Sequence, residues 1–197
     1  TGQSLQDDRT PEQLTAEAVE AAKKADYVIF VGGMNKAHNQ DCEDGDRLHY
    51  ELPYAQDQLI NALAAVNDKV IFVSISGNAH AMPWCNNVEA ILQAWYSGSE
   101  TGHAVADVIF GDVNPSGKLP YTIQPTLADY PAHQYGEIAY PGVDKQVHYL
   151  EDIFVGYRYA DLYGTRRPIK YMAQGVQYTI NPPKRQPIFP FGFGLSY

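Results

Sequence analysis

Each apolar stretch in the first half of the chain is short, and an amphipathic stretch separates it from the next. The run at 27–33 is apolar and predicts a buried strand, and the run at 70–76 is almost continuously apolar, which is typical of a parallel strand covered on both faces. Between them, apolar residues recur at helical spacing from Leu59 to Leu63, in a segment that Pro53 opens. The alternation predicts an α/β fold with a mostly parallel sheet flanked by helices, in flavodoxin-like layering.

The first helix has a complete start signal. Thr10 stands at the N-cap, Pro11 at the first helical position and Gln13 at the third, which together form a capping box. We therefore predict that residues 1–9 are a linker and that residues 10–197 form the α/β domain.

Two more elements follow the second apolar run. Periodicity does not decide whether 89–95 is helix or strand, but the loop-like residues 96–99 after it favour a third parallel strand. A helix is predicted from Glu100 to Phe110, capped by Gly111. Its inward residues are predicted to be Ala104, Val105, Val108 and Ile109.

The sequence changes character after Gly111. From about residue 125 it is dense in Tyr, Pro and Gly with little helical periodicity, so we predict an irregular C-terminal part. Within it, 153–159 is predicted to be a strand, and the aromatic–glycine tail at 189–197 is predicted to serve packing.

A strongly polar loop follows the first predicted strand. Residues 40–47 contain four acids, one arginine and one glycine. Ligands in open α/β sheets bind outside the carboxyl ends of the strands, so the loop lies where a site is expected. Taken alone, such a loop is more often solvated surface, and a glycine beside acids is ordinary turn chemistry. Glu43 is the main candidate for chemistry.

The composition is that of a globular chain with an acidic surface. The formal net charge is −9 over 197 residues, which argues against nucleic acid and anionic membranes as partners, because both are bound through Lys and Arg. No apolar run reaches the ~20 residues that span a bilayer. Neutral or cationic ligands fit better, and sugars are neutral. The 15 tyrosines offer the flat faces with polar tips that sugar sites use, as ordinary half-buried surfaces also do.

The potential metal ligands form no recognised pattern. Cys42 and Cys85 are the only cysteines, too few for a disulfide scaffold, and no sequence argument supports a bridge between them. The loop around Cys42 also holds a histidine and several acids, but their spacing fits no common zinc site. We predict no metal and no cofactor.

Several segments in a fixed order resemble one known family. They are 43–47 with 52–53 and 58–60, then 90–98, 106–120, 153–159 and 189–197. Together they resemble the C-terminal α/β sandwich domain of family 3 glycoside hydrolases, from about residue 19 to the last residue.

The resemblance implies a retaining β-glycosidase, most often a β-glucosidase or β-xylosidase, that acts on the non-reducing ends of oligosaccharides or β-glycosides. In that family the active site lies between two domains. The nucleophile is an Asp on an N-terminal TIM-like barrel, and the general acid/base is a Glu from a loop of the sandwich. Glu43 matches this acid/base best, and Asp41 is the second choice.

The chemistry of retaining glycosidases agrees with this choice. Two carboxyl groups about 5–5.5 Å apart are needed, and the acid needs a pKa raised by burial or by a nearby negative charge. Asp41 and Asp44 flank Glu43. We expect Asp46 and Arg47 to hold the loop through hydrogen bonds to the backbone.

His38 and Asn35 are the candidate contacts to sugar hydroxyls, and the alternative is that both are solvated loop residues. The resemblance implies that the barrel and the first strand–helix units of a complete sandwich domain are not part of this chain. We expect the chain to be inactive alone, because one carboxyl group cannot do the work of two. By analogy with the family, the parent protein is expected in the periplasm or outside the cell. The alternative function is a non-catalytic, flavodoxin-like binding or scaffold domain.

Overall fold

The structure is a computed structural model that describes residues 8–37, 39–43, 45, 47–173 and 175–197. The chain divides into two compact units, and the division falls between Asn114 and Pro115. This point lies close to the change of character in the sequence after Gly111.

The first unit contains a three-stranded parallel sheet in the order β1-β2-β3. Strand β1 is Val28–Gly33, β2 is Val70–Ile75 and β3 is Ala90–Gln93. Val28 pairs with Val70, and Phe72 pairs with Ile91. The predicted parallel sheet is confirmed, including the third strand that periodicity left open.

Three helices accompany this sheet: α1 at Pro11–Ala22, α2 at Gln56–Ala64 and α3 at Thr101–Phe110. The predicted capping box of α1 is present. The Gln13 amide donates to Thr10 Oγ1 over 3.3 Å, and the Thr10 amide donates to Gln13 Oε1 over 2.8 Å.

Strand β2 lies at the centre of the core. Val70, Phe72 and Val73 are completely buried. The Phe72 ring packs edge-on against Trp84, with 4.6 Å between ring centroids, and stacks on Phe30 at 5.8 Å. Ala22 of α1 and Leu63 of α2 form a buried cluster with Val70, which joins β2 to these two helices.

Strand β1 differs from the prediction of a buried strand. Ile29 is 43% exposed and Val31 is 62% exposed. Ile29 and Val31 alternate along the strand with the half-buried Val28 and Phe30, so both point to the same face of the sheet, and that face is uncovered. One of its faces packs on the core while the other stays open.

Helix α3 also departs from the prediction. Ala104 is exposed, and the other predicted inward residues, Val105, Val108 and Ile109, are only half-buried. No residue of α3 is fully buried. Its predicted C-cap is confirmed, since Gly111 has a φ of 84° in the left-handed region.

The second unit is irregular, as predicted. Its regular elements are the short helix α4 at Tyr157–Ala160 and the antiparallel hairpin of β4, Ile169–Ala173, with β5, Val176–Ile180. Short 3₁₀ turns lie at Leu127–Asp129, Pro131–Gln134 and Asp152–Phe154.

The predicted strand at 153–159 is wrong. The segment forms the end of a 3₁₀ turn, a bend and most of α4. Gly156 has φ 62° and ψ −128°, which breaks an extended strand and which glycine adopts without a steric penalty. The hairpin of β4 and β5 was not predicted.

Within the described part of the chain, no helix is both long enough and apolar enough to cross a membrane.

Candidate functional site

Three loops meet at the carboxyl ends of the three parallel strands. We call residues 34–47 after β1 the acidic loop, residues 76–81 after β2 the β2 loop, and residues 94–97 after β3 the β3 loop. His38, Asp44 and Asp46 belong to the acidic loop but lie outside the described residues. The predicted roles of His38 and Asp46 therefore stay predictions.

Hydrogen bonds to backbone groups of Gly33 and Met34 fix the start of the acidic loop. The Gly33 amide donates to Gln56 Oε1, and Gln56 Nε2 donates to the Gly33 carbonyl, both over 2.8 Å. The Met34 amide donates to the Ile75 carbonyl, also over 2.8 Å. Gly33 has a φ of 128°, and a Cβ there would lie 2.1 Å from the Ile75 carbonyl oxygen. Only glycine fits this approach.

Asn35 and Gln40 shape the first half of the acidic loop. The Ala37 amide donates to Asn35 Oδ1 over 2.7 Å, and the Asn35 amide donates to Gln40 Oε1 over 3.1 Å. Gln40 is buried, and its Nε2 donates to the Tyr54 hydroxyl over 2.7 Å. The side-chain oxygen of Asn35 is thus engaged within the loop, and its contact with sugar remains a proposal.

Asp41 binds the other two loops. Its Oδ2 accepts from the Gly77 amide over 2.7 Å and from the Tyr96 hydroxyl over 2.8 Å. Its Oδ1 accepts from Asn78 Nδ2 over 2.9 Å, and its own amide donates to the Asn35 carbonyl over 3.1 Å. Both oxygens of this carboxylate are occupied.

Glu43 has different surroundings. Its side chain is exposed, and no described residue donates a hydrogen bond to its carboxylate. The loop closes around it, because the Asn39 amide donates to the Gly45 carbonyl over 2.9 Å and the Cys42 thiol donates to the same carbonyl over 3.3 Å. Glu43 therefore presents its carboxyl group at the tip of a closed turn.

Arg47 contacts the protein backbone and forms no ion pair with Glu43. Its Nη2 donates to the Ala79 carbonyl over 2.7 Å, and its Nη1 lies 3.3 Å from Met34 Sδ. Arg47 is thus a second link between the acidic loop and the β2 loop.

A buried polar network lies beneath the β2 loop. His80 is completely buried; its Nδ1 lies 2.9 Å from the Ala81 carbonyl, and its Nε2 lies 2.9 Å from Ser74 Oγ. Burial lowers the pKa of His80 to about 4. The ring is therefore neutral, with the proton on Nδ1, because a carbonyl oxygen only accepts. Gln93 Nε2 donates to Ser76 Oγ over 3.1 Å and completes the network.

Sequence reasoning missed the roles of His80 and Tyr96. Burial, and then the hydrogen bond to Asp41, raise the pKa of the Tyr96 phenol. The Lys36 ammonium lies 4.7 Å from the centroid of the Tyr96 ring. Ser74 lies within the apolar strand β2, and Ser76 follows the strand. These two serines were the sequence signal for a buried polar network, because a buried hydroxyl needs a partner.

Among the residues that the structure describes, no group of three or more His, Cys, Asp or Glu side chains is placed to hold a metal ion. Among the described residues of the acidic loop, Glu43 offers an exposed carboxyl group, and Asp41 and Arg47 tie the loop to its two neighbours. A single carboxyl group can donate or accept a proton, but a double displacement needs a second one.

Residues 3–157 match the family model described as glycosyl hydrolase family 3 C-terminal domain. The curated relatives include beta-glucosidase BoGH3A from Bacteroides ovatus, 50% identical over 188 residues, and thermostable beta-glucosidase B from Acetivibrio thermocellus, 36% identical over 196 residues. The alignments cover 95% and 100% of this chain but only 22% of each relative. The chain therefore spans about a fifth of the length of these relatives.

Solved structures agree with the sequence comparisons. The β-glucosidase from Kluyveromyces marxianus in complex with glucose aligns with a TM-score of 0.79 and 33% identity, over 96% of this chain and 20% of that one. A GH3 β-glucosidase from Bifidobacterium adolescentis aligns with a TM-score of 0.76 and 37% identity, over 100% of this chain and 25% of that one. The parallel sheet, the order of the matching segments and these likenesses agree, and the chain belongs to the glycosyl hydrolase family 3 C-terminal domain family.

Proposed function

We propose that this chain is part of a retaining β-glycosidase, most readily a β-glucosidase, and that Glu43 supplies the general acid/base. The relatives carry the name β-glucosidase and are about five times as long as this chain. The observation that carries the assignment is the contrast within the acidic loop. Glu43 presents an exposed carboxyl group, whereas the Asp41 carboxylate is already bound by three donors.

In the proposed reaction, Glu43 first protonates the glycosidic oxygen as the aglycone leaves. It then removes a proton from the water that hydrolyses the glycosyl-enzyme intermediate. The nucleophilic Asp belongs to an N-terminal TIM-like barrel of the parent protein, which faces the carboxyl edge of this sheet. One carboxyl group cannot perform both displacements, so the chain alone is inactive.

The same proposal assigns the remaining roles. The substrate is an oligosaccharide or other β-glycoside, bound from its non-reducing end, with Asn35 and His38 as sugar contacts. Asp46 and Arg47 support the loop. The parent protein acts in the periplasm or outside the cell, where polysaccharides are degraded.

The test is hydrolysis of aryl β-glucoside and aryl β-xyloside by the chain alone and by the chain mixed with the remainder of the parent protein. We expect no turnover from the chain alone and turnover from the mixture. Glu43→Ala should slow substrates with poor leaving groups by about 10²–10⁴-fold. Activated aryl glycosides should suffer less in the first step, since they need little protonation, and azide should restore their turnover.

Glu89→Ala is the matched control. Glu89 is also exposed, but it directly precedes β3 and so lies at the amino edge of the sheet, and its removal should leave turnover unchanged. Turnover by the chain alone would contradict the proposal and demand a second carboxyl group here. Association of the two parts without turnover would favour a non-catalytic binding or scaffold domain.

A further inference from the structure

We propose that Asp41 and Arg47 are positioning residues that fix Glu43 from both sides by binding one short segment of the β2 loop. We call this segment, residues 77–79, the anchor segment. The inference rests on the proposed function, since it concerns the placement of the general acid/base.

The first link lies before Glu43 in the chain. Asp41 accepts from the Gly77 amide and from Asn78 Nδ2, so its carboxylate binds two consecutive residues of the anchor segment. The Tyr96 hydroxyl adds a third hydrogen bond from the β3 loop. Hydrogen bonds to an ionised acceptor are about twice as strong as neutral ones. Asp41 therefore joins the loops that follow all three strands.

The second link lies after Glu43. Arg47 donates to the carbonyl of Ala79, the last residue of the anchor segment, over 2.7 Å. The turn that carries Glu43 is thus attached to the same three residues at both of its ends. The two links begin two residues before and four residues after Glu43, so both flanks of Glu43 are attached to the anchor segment.

The anchor segment is itself fixed from below. The Ser76 hydroxyl donates to the Asn78 carbonyl over 3.1 Å, and Gln93 Nε2 donates to the Ser76 carbonyl over 3.1 Å. His80 follows the segment directly and is completely buried, with both ring nitrogens in hydrogen bonds. The two links from the acidic loop therefore end on a rigid part of the first unit.

Positioning through the backbone matters because no described residue holds the Glu43 side chain. Catalytic groups must be kept within about 0.5 Å of the productive geometry, and a misplacement of about 1 Å costs about 10²-fold in rate. The two links supply the restraint that the side chain itself lacks.

The same geometry separates Asp41 from the role of acid/base. Three donors already surround the Asp41 carboxylate, whereas no described residue donates a hydrogen bond to the carboxylate of Glu43. Asp41 therefore serves the loop as a hydrogen-bond acceptor, and the carboxyl group of Glu43 stays available to a substrate.

The first test is amide hydrogen exchange at Gly77 in the ¹⁵N-labelled chain. Asp41→Asn keeps the size of the side chain, but it removes the charge and leaves one accepting oxygen for three donors, so the hydrogen bonds to this position weaken. We expect the Gly77 amide to exchange about tenfold to a hundredfold faster in this variant. Glu43→Gln is the matched control in the same loop, and it should leave this exchange rate unchanged.

The second test is the pH dependence of kcat/KM in the full-length parent protein. Asp41→Asn should lower kcat/KM for poor leaving groups by about 10–100-fold and keep the basic limb of the profile, because the proposed general acid is unchanged. Glu43→Gln should remove that limb. Tyr96→Phe, which deletes one of the three donors, should give a smaller loss in the same direction, and it provides the answer if Asp41→Asn fails to fold.

Three results would overturn the inference. One is unchanged Gly77 exchange in both Asp41→Asn and Tyr96→Phe. Another is a basic limb that Asp41→Asn removes and Glu43→Gln keeps, which would make Asp41 the acid/base. If the unaltered parent protein has no glycosidase activity, the proposed function fails and the catalytic part of this inference falls with it, while the exchange experiment still reports whether Asp41 binds the anchor segment.

Discussion

Glu43 and Asp41, two acids separated by a single residue, have opposite surroundings in the acidic loop. Asp41 is enclosed by donors from the β2 and β3 loops, and Glu43 is exposed at the tip of a closed turn. Their order along the chain does not reveal this difference. It arises because the hydrogen-bond donors of two other loops reach one position and not the other.

His80 gives a prediction about acid stability. Burial lowers its pKa to about 4 in the folded chain, from an ordinary 6.5. Between these values the unfolded chain binds more protons, so the stabilising contribution is present above pH 6.5 and is lost as the pH falls towards 4. We expect the free energy of unfolding to lose up to about 3 kcal/mol from this group, measured by urea denaturation at several pH values.

The comparison is made against two variants. His80→Gln should flatten the profile between pH 6.5 and 4, whereas His103→Gln, at an exposed position, should keep it steep. Burial raises the pKa of Asp57, so the contribution of Asp57 to the stability of the chain grows as the pH falls. This contribution is present in all three proteins. An equally steep profile in His80→Gln would refute the assignment.

At the scale of elements, the end of β1 is the most constrained point of the sheet. A Cβ on Gly33 would lie 2.1 Å from the Ile75 carbonyl oxygen, and the φ of 128° disfavours any other residue. We expect Gly33→Ala to destabilise the chain by at least about 2 kcal/mol in thermal or chemical unfolding.

Gly102 is the matched control for this change. It lies within α3, and a Cβ there would meet nothing within 4 Å. Gly102→Ala should be neutral or should stabilise the chain by about 0.5–1 kcal/mol, because alanine is the better helix former. Similar losses in both variants would show that the backbone at Gly33 is not specially restricted.

Local signals were enough to predict several elements. The capping box at Thr10, the αL cap at Gly111 and the parallel strands all follow from neighbouring residues or from a single run. The apolar run at 153–159 misled, because the conformation of Gly156 ends the extended backbone there. A pattern of side-chain types carries no direct information about one glycine dihedral angle.

The loop that carries the site was also predictable, whereas its internal contacts were not. An acidic segment at the end of a parallel strand marks the carboxyl edge of the sheet. The partners of Asp41 lie 36, 37 and 55 residues further along the chain, and Arg47 binds a carbonyl 32 residues away. Such contacts depend on strand order and register, which a single sequence does not specify.

At the scale of the whole molecule, the chain combines a net charge of −9 with many exposed apolar side chains. The most exposed large ones include Val31, Phe110, Tyr149, Leu195 and Tyr197. The side chains of β1 and α3 are more exposed than the sequence predicts. Burial depends on neighbouring elements as well as on residue type. Extensive apolar exposure marks interaction surfaces.

This exposure predicts the behaviour of the chain in solution. The isolated chain should bind a hydrophobic dye such as ANS, and addition of the remainder of the parent protein should reduce the dye fluorescence. Val31→Thr should lower the dye fluorescence of the isolated chain. Phe72→Ala would leave a cavity in the buried core, and it should lower the free energy of unfolding by about 3–5 kcal/mol. Fluorescence that stays constant on mixing would mean that these side chains stay exposed beside the remainder of the parent protein.

The hydrogen bond from Tyr96 to Asp41 also gives the acidic loop an optical signature. Burial and the neighbouring carboxylate both raise the pKa of the Tyr96 phenol, so this ring keeps its proton at alkaline pH where an exposed tyrosine ionises and changes its ultraviolet absorption. A late-titrating tyrosine that disappears in Tyr96→Phe and titrates earlier in Asp41→Asn would report the closed loop directly. The loop could then be followed by absorbance in real time, without substrate and without an added label.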